Sequence, residues 1–257
     1  MIKHLFLILG LLAALTAEPV LACTSAVVSG KVTLDGRPLL WKNRDTDFMR
    51  NHVDYVKGER YDFIAVVNSA NAYLKEAWMG TNSAGFALMN TQSYNLVDVK
   101  GDEERGAANG RVIYRALEVC ATVEDFCHFL DTISKPSDIE ANFGVIDAQG
   151  GAAMFEVDYY KYVMYDANNP KDAPYGYIAR TNFSFAGKVN EGAGYVRYME
   201  ADQVLMKASA TGNITPQFIF NDLSRSFRNR MLDIDLRSGG YNLSLIHISE
   251  PTRHAQI

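Results

Sequence analysis

The chain predicts an α+β layered fold, antiparallel sheets covered by helices. Three observations lead there. The elements come in the order strands, two helices, strands, helices. No internal repeat, low-complexity tract or domain linker interrupts them. The composition, 48% hydrophobic and 21% charged over 257 residues, suits one sizeable core. Runs of strands followed by runs of helices bury their apolar faces most simply as sheets with helices on top.

Each element has its own signal. Thr24 to Ser29 alternates and is rich in strand-forming residues. Asp35-Gly36 is a hairpin turn signal, and Pro38 to Asn43 reads as the returning strand. Tyr61 to Val67 is a further strand. Glu76 to Gly80, "TNSAG" and Phe86 to Asn90 read as strand, turn, strand. The polar stretch "VDVKGDEERGAANG" reads as a surface loop. Arg111 to Ala121 carries apolar residues at helical spacing. Thr122-Val-Glu-Asp125 forms a capping box opening a helix over Val123 to Ile133, which Pro136 ends. Asn142 to Asp147, Ala152 to Asp158, Tyr160 to Tyr165 and Gly176 to Asn182 are strands, with a turn at Gln149-Gly150-Gly151. A helix follows from about Tyr195 to Ala208, and Thr215-Pro216 starts another with proline at its first position.

The two ends read differently. Residues 1–22 have the form of a secretory signal: Lys3 and His4, a leucine-rich stretch from Leu5 to Leu15 too short to span a bilayer, then Pro19 and Val20-Leu21-Ala22. Cleavage there makes Cys23 the first residue of an exported chain, periplasmic or extracellular. Residues 243–253, "LSLIHISEPTR", resemble a translated sequencing-adapter end. The expected domain is therefore 23–242, incomplete at its C-terminus, with 243–257 foreign to it.

Net charge is −5 with no Lys/Arg run, which excludes a nucleic-acid-binding surface of the usual kind. No Cys/His spacing resembles a metal site, and no phosphate loop or Gly-x-Ser-x-Gly elbow is present, so no cofactor is expected. Nor is a membrane span expected. Oligomeric state is open, a homo-oligomer included. Of three cysteines, Cys120 and Cys127 lie close enough to pair or to be two buried apolar residues; Cys23 is the odd one. Outside the two ends only His52, in a loop, and His128, in a helix, remain, neither in a constellation with Cys23. A terminal cysteine needs no histidine. Its α-amino group, with an ordinary pKa of roughly 7.7–8.0, lies within reach of its own thiol, so one residue can supply nucleophile and base.

Cys23-Thr24-Ser25, followed by "DGRPLLWKNRDTD", resembles the cysteine N-terminal-nucleophile (Ntn) hydrolases of linear amides. That group includes choloylglycine hydrolases, penicillin V acylases, acid ceramidase-like amidases and isopenicillin-N acyltransferase-like enzymes, and the last branch is the most similar. The resemblance implies a four-layer αββα sandwich of antiparallel sheets. It implies an amidase or acyltransferase acting through Cys23 and an acyl-enzyme on a small N-acyl amide. Asp45 takes the position that contacts the terminal amine. The basic position falls on Lys42 or Arg44, both on the substrate side. "TNSAGFALMNTQSY" places an oxyanion residue at Asn90, "ARTNFS" a second at Asn182, and a further arginine falls on Arg197. The alternative is a lipid-anchored binding protein held to a membrane through Cys23. Leu21, where a lipobox prefers a small residue, weighs against it. A family member without catalysis is the third reading.

Overall fold

The computed structural model describes residues 23–98 and 106–235. The expected leader and the adapter-like tail lie outside them. Strands β1 (Thr24–Val28), β2 (Leu39–Asn43), β3 (Asn51–Val56), β4 (Phe63–Asn68), β5 (Met79–Asn82) and β6 (Ala87–Gln92) come first. Helices α1 (Asn109–Val119) and α2 (Val123–Thr132) follow. Then come β7 (Ala141–Ile146), β8 (Ala152–Val157), β9 (Tyr162–Asp166), β10 (Tyr177–Arg180), α3 (Tyr195–Ala210) and the short α4 (Pro216–Phe218), which continues as a π turn over Ile219–Leu223.

Two antiparallel sheets carry the fold: seven strands in the order β3-β4-β5-β6-β7-β8-β9, and three in the order β10-β1-β2. Three apolar clusters give the layer order. Helices α1 and α2 pack on one face of the large sheet, with Phe126 at the centre, touching the rings of Phe86, Phe129, Phe143 and Phe155. Val27 and Ile178 of the small sheet meet Met89 and Met154 of the large one. Ala201, Leu205 and Ile219 cover the other face of the small sheet against Trp41 and Ala179. The architecture is thus helix, sheet, sheet, helix, the expected four-layer sandwich.

Local chemistry explains the boundaries. Thr122 accepts from the Asp125 amide at 3.0 Å, and the Asp125 carboxylate accepts in return from Thr122 N at 3.1 Å, so the capping box opens α2 as expected. Gly144 lies where the two sheets approach: an added Cβ would come 2.2 Å from Met89 Cε and 2.9 Å from Val27 Cγ2.

Several expectations need correction. His52 lies not in a loop but in β3, whose Val53 and Tyr55 are exposed. No residue of this edge strand is buried, and its short alternation, His52-Val53-Asp54-Tyr55, puts the apolar side chains toward solvent. Asp35-Gly36 makes its turn, with Gly36 at φ +76°, but inside a longer β1–β2 connection that also pairs Thr33 with Ile214. The loop expected over "VDVKGDEERGAANG" gives way at Asn109 to α1. Of the two readings left open for Cys120 and Cys127, the unpaired one holds: both are free, Cys120 buried and Cys127 partly so, and burial pushes the Cys120 thiol up to about 12.

Candidate active site

The site grows out of the register of β1. Ser25 stands opposite Arg180 on one side and Lys42 on the other. Residues directly opposite share a face, so Lys42, Ser25 and Arg180 form a polar row. Two residues along, Leu40, Val27 and Ile178 form an apolar row that packs on the large sheet. Two residues the other way, where the strands end, Cys23 meets Asn182.

Here the geometry is tight. Cys23 N donates to Asn182 Oδ1 at 2.8 Å, and Cys23 Sγ lies 3.9 Å from the Asp45 carbonyl oxygen. Arg197, in the first turn of α3, donates to the Cys23 carbonyl, to Thr24 Oγ1 at 3.0 Å and to Asn182 Oδ1 at 2.8 Å. Asn182 Nδ2 donates to the Gln92 carbonyl at 2.9 Å. These partners fix the Asn182 amide. Its oxygen takes two donors, its nitrogen faces an acceptor, and one N–H is left over. Gly194, at φ +90°, starts α3 so that Arg197 turns back over Thr181; a Cβ there would lie 2.5 Å from Arg197 Nη2.

Lys42 Nζ donates to the Trp78 carbonyl at 3.0 Å and to Asn90 Oδ1 at 3.1 Å. An ammonium only donates, so the oxygen of Asn90 faces Lys42 and its NH2 group points away. Arg44 donates to Asn68 Oδ1 at 2.8 Å and to Asn51 Oδ1, with its guanidinium 4.9 Å over the Trp78 ring. Burial pushes Lys42 down to about 8, against the opposing pull of Cys23. Burial also brings Arg44 down to about 10, where it stays charged at neutral pH. Arg197 is lowered by burial as well, while Cys23 and Asp45 act the other way. Three cations thus act on Cys23, with the Asp45 carboxylate acting in turn on Arg197, and their positive charge suits negative charge that develops during a reaction.

The structure thus brings Cys23, Asp45, Asn182 and Arg197 into one group. Asn90 is linked to it through Lys42, and Arg44 flanks it beside Trp78. His52, bonded to Ser69 Oγ at 2.9 Å, and exposed His128 stand apart. Thr24 and the Gln92 carbonyl were not singled out from sequence. A main-chain oxygen carries no residue signature, and Thr24 enters the sequence reading only within the Cys23-Thr24-Ser25 start, with no role of its own. Among the described residues no cluster could hold a metal ion, and no helix is long and apolar enough to cross a membrane.

Known proteins share this architecture. Among solved structures, the N-acylethanolamine-hydrolyzing acid amidase ortholog of Caenorhabditis elegans aligns at a TM-score of 0.52 and 15% identity, over 78% of this chain and 89% of that one. That likeness is one of fold. A mutant of the conjugated bile acid hydrolase of Clostridium perfringens aligns at 0.45 and 14%, over 78% of this chain and 74% of that one. No curated protein matches the chain in sequence. Residues 33–219 match the family described as acyl-coenzyme A:6-aminopenicillanic acid acyl-transferase. That span is most of the chain, so the chain belongs to this family and is an enzyme acting on amides.

Proposed function

We propose that the protein is exported, that removal of residues 1–22 frees Cys23, and that Cys23 is the nucleophile of a linear-amide hydrolase or acyltransferase. The observation that carries this reading is the pairing of Cys23 N with Asn182 Oδ1 at 2.8 Å, under Arg197. Cys23 N is a main-chain amide in the uncut chain; freed by cleavage, an amine that keeps this bond to Asn182 Oδ1 has its lone pair directed elsewhere, and its own thiol is within reach. Asp45 and Arg197 hold the terminus in place.

The thiol proton passes to the amine, and Sγ attacks the amide carbon. The carbon–oxygen π pair moves onto oxygen. The remaining N–H of Asn182 and the NH2 group of Asn90 are the candidate donors to that oxyanion, inside the field of Lys42, Arg44 and Arg197. The C–N bond then breaks, and the leaving amine takes the proton from the Cys23 ammonium. Water, or a second amine, attacks the thioester; the Cys23 amine accepts a proton from it and the thiolate leaves. The substrate is a small N-acyl amide.

The test is the intact mass of the N-terminal peptide of exported protein, before and after incubation with an amide panel. A free Cys23 that gains the mass of the acyl group supports the mechanism. A lipid adduct on Cys23 would overturn it and leave a membrane-anchored protein.

A further inference from the structure

Behind the site, the large sheet carries a polar row of its own. Thr91, Asn142 and Glu156 stand opposite one another across β6, β7 and β8. Their exposures are 0%, 0% and 2%, at a sheet–sheet interface that is apolar one row away, at Met89, Gly144 and Met154. Buried polar groups of this kind are costly unless each is paired. All three direct hydrogen bonds to one stretch, residues 180–186, which leaves the small sheet after Arg180.

The bonds follow that stretch almost residue by residue. Glu156 Oε1 accepts from Arg180 Nε at 2.6 Å and from the Phe185 amide at 2.8 Å, and Glu156 Oε2 accepts from the Ala186 amide at 2.7 Å. Thr91 Oγ1 donates to the Thr181 carbonyl at 2.7 Å. Asn142 Nδ2 donates to the carbonyls of Thr181 at 3.1 Å and Phe183 at 3.2 Å, while Ser184 Oγ donates to Asn142 Oδ1 at 2.6 Å. Asn142 therefore grips the main chain immediately before and immediately after Asn182.

We propose that Asn142 and Glu156 are positioning residues, which hold Asn182 at the distance from Cys23 that the chemistry needs by bracing residues 180–186 from the opposite sheet. Beyond Arg180 the segment keeps a single bridge, Asn182 with Ala193, and a clasp of Asn95 on Ser184, and this row adds the hold from the opposite sheet. Neither residue touches Cys23; each acts through Asn182. The inference rests on the Cys23 reading above.

The test is a double-mutant cycle. Asn142→Ala, Asn182→Ala and the double variant are compared by the rate at which iodoacetamide alkylates Cys23 across pH 5 to 9, followed by intact mass. Any N-acyl p-nitroanilide the protein cleaves adds kcat and KM. Asn142→Ala is expected to lower kcat about 10-fold with KM within about 2-fold. Its alkylation profile should shift the way the Asn182→Ala profile shifts. If Asn142 acts through Asn182, the double variant behaves like Asn182→Ala alone; effects that multiply would overturn the inference. Should Asn142→Ala not fold, Asn142→Asp keeps the shape and donates only when protonated. Its alkylation rate should then approach that of wild type as pH falls, and a ratio to wild type that stays away from one at every pH would overturn the inference. Cys23→Ala separates the two readings. Turnover that survives it removes the nucleophile assignment. An inactive Cys23→Ala together with multiplying Asn142 and Asn182 effects removes the positioning role alone.

Discussion

The large sheet has two faces, and they follow opposite rules. Against α1 and α2 it presents an apolar cluster in which Phe126 meets four other rings. Against the small sheet it presents an apolar row, then the polar row of Thr91, Asn142 and Glu156, then the mouth where Cys23 meets Asn182. The first face is filled mainly by volume, with one polar anchor, Asn82, whose Nδ2 donates to the Leu117 and Cys120 carbonyls. The second buries polar groups, each of which must be matched. Stability is concentrated on one side of the sheet and geometry on the other. Mutations on the two sides should therefore fail differently.

The largest expected effect breaks the second face and spares the first. Cys23→Ala should lower turnover by roughly 10⁴-fold or more, with the melting transition nearly unchanged. Activity near wild type would sink the nucleophile assignment. Phe126→Ala is the mirror case. Loss of a fully buried ring at the hub of the helix-side cluster should cost about 3–5 kcal/mol in urea unfolding, while each folded molecule keeps its kcat/KM. A drop in kcat/KM as large as the loss of stability would show that the faces are not separable.

A third experiment sharpens the contrast through pH. Lys42 holds its proton up to about 8 in the folded protein and up to the ordinary 10.5 when unfolded. Across that window the unfolded chain binds the extra proton, so stability rises with pH. Activity should move the other way. The neutral amine weakens the field at Cys23 and no longer dictates which way the Asn90 amide faces. The kcat/KM profile should fall with a midpoint near 8, and Lys42→Arg should carry that fall more than one pH unit upward. An unmoved limb would assign it to another group. The smallest effect belongs to the helix side alone. Thr122→Ala removes the acceptor at the head of α2 and should cost about 1 kcal/mol of stability, with kcat untouched.

Much of the helix-side half was legible in the sequence because its signals are local. The turn at Gln149-Gly150-Gly151 between β7 and β8, the helical spacing of α1 and the capping box at Thr122 all lie within a few residues. β3 was not legible, because its polar start, Asn51-His52, and short alternation give little strand signal, and none of its residues is buried in the fold. The site was legible only in pieces. Cys23 follows from the leader and the odd cysteine, while Asp45, Asn182 and Arg197 rest on a resemblance, and the chain order alone does not say that Arg197 reaches back to Cys23. Asn142 and Glu156 read as ordinary strand residues. Their alignment exists only in the register of β7 with β8, a property of pairing rather than of either segment.

Gly144 gives the two halves a mechanical connection. It is the shim between the sheets: Met89, Leu40 and Val27 already occupy the space a methyl group would need. It stands some four residues along the strands from the level of Cys23, about 13 Å at the rise of an extended chain. A thicker shim there would work like a wedge under a hinge. A small separation at the pivot is enlarged at the mouth, where the 2.8 Å between Cys23 N and Asn182 Oδ1 is at stake. The thinnest residue in the interface thus sets the gauge for the most exacting one.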